Sequence, residues 1–524
     1  MKQSMVPRLL ERARAHLTND EYSEAQKIYS DILFAKPHNT DALFGVGLVA
    51  QKLKRIDLAL SFFSKVIAID GQHEEALFQR GKTHIIAKNF EQAIADLTST
   101  LKKNPTSIDA LNSRGIANSQ LSNFRCAVKD FDKAIQICPS NADLFYNRGL
   151  AHSNLKNYDA AVLDYTYAIK LRPDFYQAFN NRGSAYRELA DFKMALKDFK
   201  TSTTLKSDFA DGYWNQSLIY LMNGEYEKAW PLYEYRWKSK HFPSEKRNFS
   251  EPLWLGNQSI EGKTILIHSE QGLGDTIHFC RYIKLLQQKK CKILLEVEKP
   301  LINLMGCLLP KANIFQKGHM LPKFDFHCPL VSLPLVFETN VNSVPFPTPY
   351  LKADHSRVTW WRTHLGNSMK PRVGLCWRGN PQHPNDKRRS IALSDIIGTL
   401  GSEFDWLSLQ YEIDDQESNV LKKSQKIRHF GSLIGDFAET AALCKALDAI
   451  ICVDTSIAHL AGATGSDTYL LLAQVADSRW HASGNNTPWY ENVTILRKTS
   501  HTGYPELLTR AQILIGQQKE LKTT

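Results

Sequence analysis

At 524 residues, 43% hydrophobic and 10% aromatic, the chain can build roughly three or four domains, and with no run of roughly 18 apolar residues and no apolar signal core it is expected to have no integral membrane segment. A formal charge of +11 favours anionic partners, but no Lys/Arg tract interleaved with aromatics points to nucleic acid. Nine scattered cysteines without a C-x-x-C pair fit reduced thiols in a cytoplasmic protein, not zinc or a disulfide framework.

The first half repeats itself every 34 residues. Ala25, Ala59, Ala93, Ala127, Ala161, Ala195 and Ala229 keep that step, and Gly47, Gly81, Gly115, Gly149 and Gly183 keep it in a second phase. A large apolar residue follows each alanine by four: Tyr29, Phe63, Leu97, Phe131, Tyr165, Phe199 and Tyr233. Pro37, Pro105, Pro139 and Pro173 close units, with Gly71 and Ser207 standing in for two others. Small residues let two helices cross closely, the large one fills the space between them, and proline stops the second helix. This pattern matches the tetratricopeptide repeat, and seven units fill residues 6–243 as an all-α solenoid.

Stacked helix pairs line a groove with the first helix of each pair. Asn147, Asn181 and Asn215 share one phase there, in F-Y-N-R-G, F-N-N-R-G and Y-W-N-Q-S. A column of amides can grip the backbone of an extended peptide, or asparagine is simply common at this phase. The last unit carries Trp230, Tyr233, Tyr235 and Trp237, more aromatic surface than a solvent-capped end needs, and is expected to dock on the C-terminal half of the chain. Residues 238–251 are polar and look like a linker.

From Pro252 the period changes to apolar strands alternating with helices, the mark of parallel sheets. A first lobe spans 252–350 and a second 371–500, with a C-terminal helix and tail at 501–524. In the first, strand Thr264–Ile267 runs into a turn with Gly272 and Gly274, followed by Asp275 and Thr276 and a helical period through Ile277, Cys280, Ile283 and Leu286. Strand, glycine turn and helix bring backbone close to a polar ligand. Asp275 either faces that ligand or merely caps the helix. Leu301–Leu309 reads as helical, and Leu321–Tyr350 as irregular and proline-rich.

In the second lobe, strand Val373–Trp377 opens into W-R-G-N-P-Q-H-P-N-D-K-R-R-S, which concentrates Arg378, Lys387, Arg388 and Arg389. Cations at a strand's carboxyl edge can neutralise phosphate, or form a solvated loop. Strand Trp406–Leu409 ends at Gln410, whose amide suits a ribose or base. The run A-I-I-C-V-D-T-S-I-A-H-L-A-G-A-T-G ends an apolar strand at Asp454 and opens a helix at Thr455 and Ser456. A helix N-terminus with hydroxyls suits a diphosphate, and His459 lies one turn in. The modest alternative is a cap plus a satisfied histidine. No metal-holding carboxylate pair, Walker loop or nucleophile elbow is present.

Five stretches occur in order: E-Q-G-L-G-D-T-I (270–277), V-G-L-C-W-R-G-N (373–380), N-D-K-R-R-S (385–390), D-F-A-E-T-A-A-L (436–443) and V-D-T-S-I-A-H-L-A-G-A (453–463). Together they resemble bacterial tetratricopeptide-repeat glycosyltransferases whose catalytic half is similar to the ADP-heptose–lipopolysaccharide heptosyltransferases. The resemblance implies an α/β GT-B fold of two Rossmann-like lobes and an inverting hexosyl- or heptosyltransferase. It implies no metal and no cofactor, with a nucleotide-sugar as substrate. Asp275 matches that family's base, Lys387 its phosphate-neighbouring lysine, and Asp454, Thr455 and His459 its donor motif. The acceptor, protein or glycan, would be recruited by the repeat groove. The chain departs from the family at A-D-S-R-W (476–480), where D-W-R-W is usual. The competing expectation is a non-catalytic scaffold with a relic or ligand-sensing lobe pair.

Overall fold

A computed structural model describes residues 5–347, 349–382, 386–499 and 501–523. They form two compact units, Met1–Ser207 and Asp208–Thr524. His383–Asn385 of the basic loop and Thr524 of the tail lie outside the described residues.

The first unit is six helix pairs: α1 (Val6–Thr18) with α2 (Tyr22–Ala35), α3 (Thr40–Lys52) with α4 (Ile56–Ile69), and α5 (Glu74–Ile86) with α6 (Phe90–Lys103). Then come α7 (Ile108–Gln120) with α8 (Phe124–Ile137), α9 (Ala142–Asn154) with α10 (Tyr158–Leu171), and α11 (Tyr176–Glu188) with α12 (Phe192–Leu205). The repeating alanines are fully buried at the crossings. A Cβ at Gly47 would lie 2.5 Å from the Phe63 ring, and one at Gly115 2.6 Å from Phe131. Only glycine admits the large residue of the second helix there, which is why the two phases recur together.

A second regularity ties the pairs to each other. Arg80, Arg114, Arg148 and Arg182 each grip a carboxylate 16 residues on, Asp96, Asp130, Asp164 and Asp198, through two N–H groups at 2.6–3.0 Å. Each spends a third N–H on the preceding pair, at Ser64, Thr98, Asp132 and Thr166. Every rung therefore joins three helices through charge-assisted bonds to a buried acid.

In the second unit, α13 (Ala210–Met222) and α14 (Tyr226–Tyr233) form a seventh pair. Trp230 Nε1 donates to the carbonyl of Thr339 at 2.9 Å, and the Tyr226 hydroxyl meets His481 Nε2 at 2.7 Å. Arg236, fully buried, donates to both oxygens of Glu270 at 3.0 and 2.9 Å and to Ser332 Oγ at 2.8 Å. The aromatic end thus docks through Trp230, Tyr233 and Tyr226, while Tyr235 and Trp237 pack on Tyr213 and Phe242. The 238–251 segment is irregular yet anchored, since Arg247 pairs with the buried Glu296 at 2.7 Å.

The first sheet contains β1 (Thr264–His268), β2 (Lys292–Val297), β3 (Ile314–Gln316) and β4 (Phe326–Pro329), all parallel, in the order β3-β2-β1-β4. The helical period after Asp275 is broken: α15 (Leu273–Phe279) passes through one 3₁₀ turn at Cys280–Tyr282 into α16 (Ile283–Gln287). Leu301–Leu309 forms only a 3₁₀ turn at Lys299–Leu301 and α17 (Ile302–Met305). The proline-rich stretch supplies β4 and α18 (Leu333–Val336); β4 is an edge strand, where Pro329 breaks no ladder.

After α19 (His355–Leu365), the second lobe runs β5 (Arg372–Cys376), α20 (Asp386–Arg389), α21 (Leu393–Thr399), β6 (Asp405–Ser408), α22 (Asp415–Ser424) and β7 (Ile427–His429). It continues through α23 (Phe437–Lys445), β8 (Ala449–Val453), α24 (Ser456–Thr464), β9 (Thr468–Leu472), β10 (Val493–Arg497) and α25 (Tyr504–Thr523). Its parallel order is β10-β9-β8-β5-β6-β7. The chain reverses direction of winding between β5 and β8, the crevice where doubly wound sheets bind ligands.

Candidate functional site

Two helix N-termini meet at the carboxyl edges of the sheets. α15 starts at Gly272, whose N–H donates to Asp275 Oδ2 at 3.1 Å. Asp275 is therefore the third residue of the helix and caps it from inside, whereas the sequence pattern puts it at the cap position itself. Gly274 lets α15 cross α24: a Cβ there would lie 3.0 Å from His459 Cδ2 and 3.5 Å from Ser456 Cα. Asp275 of the first lobe and the Asp454–His459 run of the second are thereby brought together.

The other oxygen of Asp275 is not open. Oδ1 accepts a short hydrogen bond from the Arg479 guanidinium, which follows β9. Arg479 is itself held by Asp477, through Nε to Oδ1 and a terminal nitrogen to Oδ2, both at 2.8 Å. Burial and the charge of Asp454 push the Asp477 carboxyl up, to about 7, against the pull of the Arg479 N–H and of Arg389.

On the second lobe, Thr455 caps α24 by accepting from the N–H of Ile457 at 3.3 Å, and Ser456 begins the helix, half-buried. Asp454 Oδ1 accepts from Trp480 Nε1 at 2.8 Å, and its carbonyl accepts from Arg389 at 2.7 Å. His459 is 3% exposed and stacks on Trp480 at 4.9 Å. Its Nδ1 lies 3.0 Å from the Tyr490 hydroxyl, which also meets His278 Nδ1 of α15 at 2.8 Å. A hydroxyl has one proton, so one histidine accepts and the other donates. Burial, then the charge of Arg281, pushes His459 down to about 3 and His278 far below its ordinary value. Both rings are neutral, and they join the lobes as hydrogen-bonding groups, not as cations.

The basic loop divides. Lys387 is exposed on α20. Arg388 is half-buried, and its carbonyl accepts from the Tyr504 hydroxyl at 2.7 Å. Arg389 is the member that bonds the Asp454 carbonyl, and it lies where a Cβ at Gly379 would be 2.4 Å away. Arg378 differs from expectation: Glu417 of α22 takes two of its N–H groups at 2.8 Å, so its charge is already answered within the lobe. Gln410 is buried, its Oε1 accepting from the Arg378 N–H at 3.3 Å. Arg497, at the end of β10, gives one nitrogen to the carbonyls of Trp480 and His481, and its Nε and other terminal nitrogen are buried with no hydrogen-bond partner among the described residues.

Sequence reasoning missed Arg479, Asp477, Tyr490 and His278. The first two sit in the A-D-S-R-W stretch, which in sequence stands out only as a departure; an Asp and an Arg two apart behind a strand end were the available signal. Among the described residues no three His, Cys, Asp or Glu side chains converge on a metal-sized site, and no helix is long and apolar enough to cross a membrane.

In the first unit the asparagines are engaged. Asn147 Nδ2 donates to Asn112 Oδ1 and Asn181 Nδ2 to the Tyr146 hydroxyl, both at 3.0 Å, so each amide also braces neighbouring helix pairs. Asn215 lies on α13, in the second unit. Asn147 itself lines a recess of about 620 Å³, together with Asp143, Tyr146, Arg172, Phe175 and Tyr176.

Family models described as tetratricopeptide repeat match residues 10–74, 142–175 and 176–209, and one described as TPR repeat matches 123–156. The N-terminal array is thus built of tetratricopeptide repeats. The chain is similar to protein FlbA of Caulobacter vibrioides (strain CB 15), 23% identical over 304 residues, which are 53% of this chain and 50% of that protein. It spans about half the length of that curated relative. Among solved structures it is similar to MamA protein, with 26% identity, a TM-score of 0.31 and coverage of 33% of this chain and 93% of that one. It is also similar to a tetratricopeptide repeat protein from Parabacteroides merdae, with 19% identity, a TM-score of 0.38 and coverage of 44% and 91%.

Proposed function

We propose that this tetratricopeptide-repeat chain is a glycosyltransferase of the GT-B type, moving a sugar from a nucleotide-sugar to a protein or glycan acceptor recruited by its repeats. The observation that carries this reading is the meeting of Asp275 with the N-terminus of α24, a candidate base within one helix crossing of a candidate diphosphate site. Asp275 takes the proton of an acceptor hydroxyl, which attacks the anomeric carbon from the face opposite the diphosphate, inverting it. The dipole and open N–H groups of α24 at Thr455–Ser456, with Arg389, Arg497 and Lys387, neutralise the departing diphosphate without a metal. Arg497 supports this role because two of its buried donors lack partners among the described residues. Arg378 has a supporting part: it fixes Gln410 and α22, and its charge goes to Glu417.

A second reading, a scaffold with a ligand-sensing lobe pair, is favoured by one observation: Asp275 is bonded at both oxygens. A panel of sugar nucleotides separates the two. The transferase reading expects one donor to raise the melting temperature and to release nucleoside diphosphate when acceptor is added. A donor that stabilises the protein but is never turned over leaves the sensor.

A further inference from the structure

Arg479 bridges the lobes in a way the proposed chemistry does not need. Its guanidinium reaches Asp275 on α15 of the first lobe from its own place behind β9 in the second. It is held by three bonds to Asp477, two from the guanidinium at 2.8 Å and one from its own N–H at 3.0 Å. On Asp275, Oδ2 is occupied by the helix cap at Gly272. Oδ1 faces away from the helix cap, and Arg479 covers it, so each oxygen of the carboxylate already accepts one bond.

Resting on the transferase reading, we propose that Arg479 is a positioning residue that latches the lobes over Asp275 and withholds the carboxylate until an acceptor hydroxyl takes the guanidinium's place. The next residue links the latch to the donor side: Trp480 donates to Asp454 and stacks on His459. An occupant at the N-terminus of α24 presses on Trp480, and through it on Arg479. Donor binding thereby loosens the latch, and base and acceptor engage only when the sugar is in place. The benefit is chemical: an uncovered carboxylate beside a sugar nucleotide activates water and wastes donor. Among the described residues, the charged and titratable groups on the elements packed about Asp275 include Arg479 and Asp477 behind β9, Asp454 ahead of α24 and His459 on it, Glu298 bonded by Thr276, Tyr490, and Tyr233, whose hydroxyl accepts from Gln271.

Arg479→Gln tests this in the full chain. Hydrogen–deuterium exchange is expected to rise at least several-fold in 272–279 and in 477–490, showing release from both sides. Loss of the cation is expected to move the acid limb of kcat/KM for transfer to higher pH. Donor hydrolysis rises relative to transfer, and Arg479→Lys restores part of each. Asp275→Asn removes the same pair from the other side while keeping an acceptor for the Gly272 N–H, and raises exchange in 477–490. It decides the matter should Arg479→Gln fail to fold. Unchanged exchange in both segments, or an acid limb that stays in place, overturns the latch and leaves the transferase reading standing. No turnover with any donor overturns that reading, and the exchange of the two variants still decides whether the latch exists.

Discussion

Asp275 divides its work between two oxygens, one for its own helix and one facing Arg479, so a substitution that keeps the cap isolates the other role. Asp275→Asn preserves an oxygen for Gly272 and removes the proposed base. Transfer is expected to fall by about 10²–10⁴-fold, with the donor-induced rise in melting temperature retained. Turnover within a few-fold of the parent would reduce Asp275 to a cap. Three other residues make a pH prediction. Burial pushes His268 and His459 down to about 3 and His278 far below its usual value, so in the folded state all three stay neutral. The unfolded chain takes protons below about pH 6.5, so the stability tied to these rings is present above that value and is lost as pH falls toward 3. Acidifying from pH 7.5 to 5.5 is expected to cost about 1.4 kcal/mol for each ring. Thermal melting at the two pH values checks it, and an unchanged midpoint would mean that the rings take up protons inside the fold.

At the scale of elements, the arginine rungs show what the repeat pattern hid. Arg and Asp occur together in the third to sixth units; outside them the same phases hold Arg12 with Ile28, Val46 with Phe62 and Gln216 with Leu232, so the acid is lost in all three and the arginine in two. The pairing in four successive units was legible in the sequence alone, but the larger alanine and glycine signal masked it. Arg148→Leu leaves Asp164, 4% exposed at its side chain, without its cation and is expected to destabilise the array by about 1.5–3 kcal/mol, read by urea unfolding. Asn147→Ala is expected to cost about 0.5–1.5 kcal/mol of array stability through the lost brace to Asn112. An effect on acceptor capture alone would make Asn147 a groove contact and not a brace. The helix pairs and the central strands β1, β5 and β8 were legible because their periods are strong. β3, β4 and β10 were not, being short or edge strands stabilised by their neighbours more than by their own pattern. In the candidate site, the glycine turn, Asp454 and Thr455 stood out because each breaks an apolar run. Arg479 and Tyr490 did not, since their importance comes from residues about 200 positions away.

At the scale of the molecule, the seventh helix pair belongs with the lobes. A fragment 208–524 is expected to fold, melt cooperatively and bind donor as the full chain does, while transfer to a repeat-recruited acceptor is lost. A fragment 244–524 removes Arg236 and leaves Glu270 buried without its cation, at a cost of about 3–5 kcal/mol. It is expected to aggregate or melt well below the longer fragment; equal melting of the two would mean that the Arg236–Glu270 pair contributes nothing. The same pair bears on the history of such chains. With the last repeat rooted in the lobes, tandem duplication or loss of 34-residue cassettes upstream of Ser207 leaves every bond of Arg236, Trp230 and Tyr226 untouched. The repeats can therefore diversify by copy number while the lobes are inherited unchanged, and homologues are expected to vary in repeat count ahead of that joint and not behind it.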